Sequence, residues 1–326
     1  MRTHAKQLGL TLIELMVSMV IGLFLLLGAV TVYNQGRANY TVNENIARLQ
    51  ENLRFALDVI EPDIRLAGFW GMNSATTAFD QNGVNVTCDG ANVSNWVFDP
   101  QGGGAGPIGL IAFNNIQAGQ AGQVTQIANC PAHDSNIVVN TDVLEIRRAS
   151  AQGVNLVPGE VLFQSGMAGS VAFDNGVLPV DFAFTPADQM DTFGMVVSSW
   201  YVANGSGSFD DVPSLRRRTL RGGVMVDEEV IAGVENMQIQ LGLDTDPTPD
   251  NNVDQYVDPD DPLAANNPIL SVRIWMLIRS TDTERGFTDG STYTPLDDGL
   301  PDIQPGDGFR RMQVSKTIFL RNSLAT

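Results

Sequence analysis

The sequence predicts an α+β protein in which one long N-terminal helix packs on an antiparallel β-sheet. Three observations support this fold class. An apolar run covers residues 10–32, apolar residues at helical spacing continue to residue 67, and strand-like segments follow residue 140. A sheet of this kind has an inner face to cover, and the amphipathic part of the helix can cover it.

The apolar run contains about 23 residues, or roughly 35 Å of helix, which is enough to cross a bilayer. Arg2 and Lys6 precede it, which places its N-terminal end in the cytoplasm and predicts export of the remaining chain. A secretory signal peptide would have a shorter apolar stretch and a small-residue cleavage site after it. A plain signal anchor stays open as an alternative, although it gives no reason for Glu14.

Glu14 is the only charged residue of the apolar run. A carboxylate inside a membrane costs on the order of 3 kcal/mol and usually has a partner. The run holds no basic residue, whereas a new amino terminus created at Leu10 would supply a positive charge.

Residues 9–14, Gly-Leu-Thr-Leu-Ile-Glu, resemble the type III signal of type IV pilins and type II secretion pseudopilins. The resemblance implies that a prepilin peptidase cleaves after Gly9 and methylates Leu10, and that Glu14 serves in subunit assembly. Leu10 departs from the phenylalanine that the family usually has at this position.

Four further segments resemble the PilW family of minor pilins, namely residues 49–57, 63–71, 233–238 and 319–322. The resemblance implies a pilin-like fold and a minor pilin that helps to prime pilus assembly or caps the filament tip. It also implies four partners: other minor pilins, the major pilin, the prepilin peptidase and the inner membrane. The chain would cross the inner membrane once, with its body in the periplasm, and then enter the pilus at the cell surface.

The predicted organisation is a leader at residues 1–9, a membrane and filament-core helix at 10–35, an amphipathic helix at 36–71 and a strand-rich domain at 72–326. Pro62 predicts a kink or break in the helix, and Gly68 and Gly71 predict its end. The apolar stripe of the amphipathic helix comprises Ile46, Leu49, Leu53, Ala56, Leu57, Ile60, Ile64 and Ala67.

Residues 73–137 are rich in Gly, Asn and Gln, which predicts loops and short strands. Beyond them, strands are predicted at residues 142–148, 195–202, 215–220, 237–243, 269–279 and 312–321. The predicted strand 215–220 and Arg221 together carry four arginines, for which salt bridges to acidic residues are favoured over phosphate binding.

Cys88 and Cys130 are the only cysteines, and export would favour a disulfide between them over two buried thiols. Closing this loop of roughly 40 residues would contribute about 3–4 kcal/mol in a chain-entropy estimate.

The formal charge of −18 argues against nucleic-acid binding, which needs clustered positive charge. Carboxylates at Asp244, Asp246, Asp250 and Asp254 predict a calcium site, and a solvated acidic loop is the alternative. No catalytic motif is recognisable, so we expect no enzymatic activity and no other cofactor.

Two alternative functions stay open. A J-type minor pseudopilin of type II secretion would share the leader and the fold class. A membrane-anchored adhesin unrelated to filaments would explain the apolar run but not Glu14 beside a Gly9 cleavage point.

Overall fold

The computed structural model describes residues 11–72, 79–98, 108–116, 137–166, 169–178, 191–207, 211–297 and 299–322. The chain divides into two compact units, Met1–Arg48 and Leu49–Thr326. Helix α1 covers Leu12–Arg65, so its first part belongs to the first unit and its last part to the second.

In the first unit α1 exposes apolar side chains on all sides between Leu12 and Val32; Phe24, for example, is 70% exposed. By length and composition, α1 is the one helix among the described residues that could cross a membrane. A helix that is apolar all round requires an apolar surrounding, such as lipid or other helices.

In the second unit the apolar stripe of α1 is buried, as its spacing predicts. Leu49, Leu53, Ile60 and Ile64 are at most 5% exposed. The predicted break at Pro62 is wrong, because α1 continues to Arg65. Proline lacks only its own N–H donor, so α1 loses one intrahelical hydrogen bond, that to the Asp58 carbonyl, and the helix ends three residues later. Gly68, with φ of +71°, takes the left-handed conformation that commonly follows a helix.

The larger sheet has ten strands. They are β1 (Phe79–Asp80), β2 (Thr87–Cys88), β3 (Ala91–Asn92), β4 (Leu110–Phe113), β5 (Val143–Ala149), β6 (Leu162–Gly166), β7 (Gly169–Phe173), β8 (Asp191–Ala203), β9 (Ser214–Arg221) and β10 (Val224–Ala232). The main path is β1-β7-β6-β8-β9-β10-β2-β3, and β5 joins β8 to β4. A short helix, α2 (Ser94–Phe98), follows β3.

The smaller sheet has the order β12-β11-β13-β14, with all pairs antiparallel. Its strands are β11 (Val234–Leu243), β12 (Gln255–Val257), β13 (Ile269–Arg279) and β14 (Arg311–Phe319). The main core lies between α1 and both sheets, where Ile60 packs in one cluster with Trp200, Leu215 and Ile274. A second core gathers aromatic side chains around Trp70, Trp96 and Phe163.

The observed α+β architecture confirms the predicted fold class, and each of the six predicted strands is present. The single predicted sheet is wrong, because the strands form two sheets. The larger sheet is also not wholly antiparallel, since β1 pairs with β7 and β2 with β10 in parallel.

Strand β10 was not predicted, because its acidic run Asp227-Glu228-Glu229 does not look like a buried strand. A local signal was nevertheless present. Gly222 and Gly223 both have positive φ, +53° and +74°, and connect β9 to β10 as a two-residue hairpin. A Gly-Gly pair between two strands is a recognised hairpin signal.

Candidate functional site

Glu14 lies in the first turn of α1 and forms a reciprocal cap with Thr11. The Thr11 hydroxyl accepts a hydrogen bond from the Glu14 backbone N–H at 3.3 Å, and the Thr11 backbone N–H donates to Glu14 Oε2 at 3.4 Å. This is a capping box, in which a Thr and a Glu three residues later satisfy the free N–H groups of a helix start. The structure therefore gives Glu14 a local role that was missed from the sequence, although Thr11 and Glu14, three residues apart before an apolar run, are the signal for such a cap.

The processing residues predicted upstream, Gly9 and Leu10, lie outside the described residues. Among the described residues, the Glu14 carboxylate contacts only Thr11, at the exposed start of the helix. A negative charge near a helix N-terminus is favourable. The carboxylate thus keeps capacity for a positively charged partner from another chain.

The acidic loop after β11 brings together three of its four predicted ligands. Carboxylate oxygens of Asp244, Asp246 and Asp250 lie within 4.8 Å of one another. Asp254 instead accepts hydrogen bonds from the Thr245 backbone N–H and hydroxyl. The negative charge of Asp254 still raises the pKa of Asp246, so the loop concentrates charge that a cation would neutralise.

Calcium binding at this loop remains a prediction with a direct test. At 10 mM Ca²⁺, a site with millimolar or somewhat tighter affinity would stabilise the protein by about 1–3 kcal/mol, a rise in Tm of a few degrees. Asp246→Asn should reduce this rise, whereas Asp302→Asn, at an exposed acid outside the loop, should not. Thermal melts of the full chain with and without Ca²⁺ measure both. Equal rises in Tm in the two variants would contradict binding at the loop.

The predicted disulfide joins a described and an undescribed residue. Cys88 is fully buried in β2, and Arg218 Nη1 lies 2.7 Å from its sulfur. Cys130 lies outside the described residues, so the pairing stays a prediction.

The arginines of β9 form salt bridges, which confirms the interpretation favoured from the sequence. Arg216 pairs with Asp227 at 2.8 Å and Arg217 with Glu228 at 3.0 Å, both across the β9–β10 hairpin. Arg218 pairs with Asp89 at 3.3 Å. These arginines are therefore not available as a phosphate-binding patch.

Two buried charged groups in β5 were missed from the sequence. Glu145 and Arg147 are fully buried and pair at 2.9 Å. Trp96 of α2 covers them: its indole N–H donates to Glu145 at 3.1 Å, and its carbonyl accepts from Arg147 Nη2 at 2.9 Å. The alternation of polar and apolar residues along β5 suggests that these side chains face solvent. They are buried because α2 packs over that face of the strand.

A second charged cluster fixes the long connection between β13 and β14. The side chain of Arg311 is 4% exposed and contacts Glu235 at 2.6 Å and Asp307 at 2.6 Å. Hydrogen bonds from Arg311 lower the pKa of Asp307. Because Glu235 belongs to β11, Arg311 to β14 and Asp307 to the connection, the cluster holds the connection against both strands. Its role is therefore structural.

The comparisons with known proteins concern the two ends of the chain. Residues 4–30 match the prokaryotic N-terminal methylation motif, and these include Gly9, Leu10 and Glu14. Residues 199–322 match the type IV pilus-assembly protein W family, from the end of β8 through β14. No curated protein matches the chain.

Among solved structures, a type IV-like pilin from Thermus thermophilus is similar to 85% of this chain and 98% of its own, at 12% identity and a TM-score of 0.37. We base the fold class on the described elements themselves, since a TM-score of this size does not define a common fold. The two family matches confirm the resemblance that the sequence motifs indicated: the chain joins a prepilin-type N-terminus to a C-terminal region of the PilW type.

Proposed function

We propose that this chain is a minor pilin of a type IV pilus with a structural and not a catalytic role. The observation that supports this most is the presence in one chain of a methylation motif at residues 4–30 and a PilW-type region at residues 199–322. The leader, residues 1–9, would be removed by the prepilin peptidase after Gly9, and Leu10 would be methylated. The chain would then join other minor pilins and the major pilin, priming assembly or capping the tip.

In this mechanism α1 has two successive roles, one in the membrane and one in the filament. Before assembly its residues 12–32 would cross the inner membrane, with the N-terminus in the cytoplasm and the body in the periplasm. During assembly the same apolar surface would leave lipid and pack against helices of neighbouring subunits. Glu14 would pair with the N-terminal amine of an adjacent subunit, which offsets the cost of a carboxylate in an apolar environment. The resulting filament would serve twitching motility and adhesion.

Glu14→Ala and Glu14→Gln separate assembly from helix capping. Glutamine can also form a capping box, so Glu14→Gln keeps the cap but removes the charge. If ion pairing drives incorporation, both variants should be lost from sheared filaments, by tenfold or more relative to the parent chain. Immunoblots of the sheared fraction and of the membrane fraction measure this.

Thr11→Ala is the matched control, because it removes the threonine half of the cap and leaves the Glu14 charge in place. We expect Thr11→Ala to enter filaments. Normal incorporation of Glu14→Gln together with loss of Thr11→Ala would contradict the ion-pairing mechanism and leave capping as the role of Glu14.

The PilW-type match favours a pilus over type II secretion, since the methylation motif alone is common to both systems. A membrane-anchored adhesin unrelated to filaments would need neither the motif nor Glu14. Recovery of the chain only in membranes, in cells that make filaments, would favour that alternative.

A further inference from the structure

Strand β14 is the last strand of the smaller sheet, and among the described residues it pairs only with β13. All nine residues of Arg311–Phe319 pair with residues 271–279 of β13, and no register shift interrupts the ladder. The other side of β14 is therefore a long, regular edge with no described partner strand. Such an edge is a template on which another extended chain can pair.

The backbone hydrogen bonds at the two ends of β14 show which residues face this open side. The Leu320 N–H donates to the Leu270 carbonyl at 3.0 Å, and the Ser280 N–H donates to the Arg310 carbonyl at 2.8 Å. Both pairs continue the register of the ladder, so the even-numbered residues of β14 bond to β13. The odd-numbered residues direct their N–H and C=O groups to the open side. This set, which we call the β14 edge, comprises Arg311, Gln313, Ser315, Thr317 and Phe319.

The β14 edge ends where α1 ends. The N–H of Arg321, the next odd-numbered residue, donates to the Arg65 carbonyl at 3.1 Å, which agrees with the assignment of odd-numbered residues to the open side. In the part of the chain that the structure describes, this is the only backbone bond made on that side of residues 311–321. The exposed side chains of the edge are Gln313, Ser315, Thr317 and Phe319.

The β14 edge lacks the features by which proteins protect an open strand, which are prolines, bulges, very short length and charged side chains that extend over the edge. Its two charged side chains are held by other parts of the fold. Arg311 is 4% exposed in its cluster with Glu235 and Asp307, and Lys316 pairs with Glu61 of α1. The edge is therefore open to strand addition.

The end of the edge beside α1 carries surplus positive charge. Arg65 and Arg321 are both exposed there, and Lys316 lies close by on β14. The described acid that pairs with this group is Glu61, which is shared between Arg65 and Lys316. Three positive side chains thus meet one described carboxylate, in a chain whose formal charge is −18. This local charge favours a partner that brings carboxylates to that end.

A second copy of this chain does not fit the edge. Antiparallel pairing of β14 with its own copy would place a two-fold axis perpendicular to the sheet. Because α1 packs along the sheets from Leu49 to Ile64, it would run in opposite directions in the two copies, which could not both be anchored in one membrane. Parallel pairing would bring the two basic ends together, and they would repel each other.

We propose that the β14 edge binds an extended segment of a different subunit of the filament, which adds to the smaller sheet as a fifth strand and places a carboxylate beside Arg65 and Arg321. This inference rests on the proposed function, from which it takes the filament as the source of the partner. Backbone hydrogen bonds would supply the attraction, and the carboxylate would fix the direction of the added strand.

Hydrogen exchange of the isolated full chain in detergent tests whether the edge is open. Mass spectrometry with electron-transfer fragmentation measures the exchange residue by residue. We expect the amides of Gln313, Ser315 and Thr317 to exchange about a hundredfold faster than those of Val314 and Lys316, which bond to β13. Equal protection of the two sets would show that another part of the chain covers the edge, and this would overturn the proposal.

Photo-crosslinking in filament-producing cells tests the partner, with p-benzoylphenylalanine in place of Thr317. We expect a cross-link to a different filament subunit, within a segment that carries Asp or Glu. Ser315→Pro removes an N–H donor of the open side and leaves the hydrogen bonds to β13 in place. It should keep Tm within a few degrees of the parent chain and reduce the cross-link tenfold or more. An unchanged cross-link in this variant would contradict strand addition.

Two matched pairs of variants separate strand pairing from charge. Gln313→Lys places a lysine on the edge and should reduce the cross-link, whereas Gln152→Lys, at an exposed position of the loop after β5, should not. Arg321→Glu should reduce it several-fold, whereas Arg285→Glu, at an exposed arginine of the β13–β14 connection, should not. Equal effects within either pair would contradict the corresponding part of the proposal.

The same cells distinguish failure of this proposal from failure of the proposed function. If the parent chain is present in sheared filaments but Thr317 gives no cross-link, the edge proposal fails and the proposed function stands. If the parent chain is absent from filaments, the proposed function fails, and the filament subunit named as the partner fails with it. A cross-link between two copies of this chain would overturn the assignment of the edge to a different subunit.

Discussion

Replacing Arg147 with methionine is expected to lower the free energy of unfolding by about 3–5 kcal/mol, the usual cost of removing one partner of a buried ion pair. Arg147 and Glu145 are both fully buried. The guanidinium also donates to the Trp96 carbonyl and lies over its ring, 4.7 Å from the centroid. Without Arg147, the Glu145 carboxylate keeps only the indole N–H of Trp96 among its described partners.

The variant should also respond more steeply to pH. Burial raises the pKa of Glu145, and Arg147 is the positive charge that opposes the rise. A carboxyl whose pKa is higher in the folded than in the unfolded state binds more protons when folded, so stability falls as pH increases above the unfolded pKa. Between pH 5 and pH 8, Arg147→Met should therefore lose more stability than the parent chain.

Denaturant unfolding followed by tryptophan fluorescence measures both effects. Arg48→Met is the control, since Arg48 pairs with Glu44 at an exposed position of α1, and it should cost no more than about 0.5 kcal/mol. The double variant Glu145→Leu/Arg147→Met should recover most of the stability, because no buried charge remains unpaired. A cost below about 1 kcal/mol for Arg147→Met would show that water reaches this pair.

Ile60→Ala is the second large effect, with an expected cost of about 2–5 kcal/mol. Ile60 is fully buried where α1 meets both sheets, so its loss leaves a cavity in the main core. The same unfolding experiment measures the cost. Phe55→Ala is the control on the same helix, because Phe55 is 48% exposed. Similar costs for the two variants would contradict the assigned buried face of α1.

Local patterns explain which elements could be predicted. The stripe from Leu49 to Ile64 repeats at helical spacing on one element, and burial follows directly from it. Strand β13 was predicted with its observed bounds, Ile269–Arg279, because eight of its eleven residues are apolar and four of those are β-branched. The membrane-spanning part of the first unit could also be predicted, because a long apolar run is recognised from the sequence without any knowledge of tertiary contacts.

Contacts between distant segments explain the failures. Glu145 and Arg147 alternate with apolar residues as solvent-facing side chains do, and they are buried only because α2 covers that face of β5. From the sequence, the acidic loop was expected to gather four carboxylates. In the structure, Asp254 instead accepts a hydrogen bond from the Thr245 backbone N–H.

Glu14 shows how sequence and structure complement each other. The sequence identifies it as a charge that a plain anchor does not explain. The structure adds the cap with Thr11. Because of this second role, Glu14→Ala removes both the cap and the charge. Glu14→Gln removes only the charge and is therefore the decisive substitution.

The proposed function requires that this chain is processed as a prepilin and incorporated into a filament. Mass spectrometry of the N-terminal peptide, from chain recovered in sheared filaments, tests it most directly. We expect a peptide that begins at Leu10 and carries one N-methyl group, and we expect Gly9→Ala to remain full-length and absent from that fraction. Chain that keeps residues 1–9 and is found only in membranes of filament-producing cells would show that it is not a processed filament subunit.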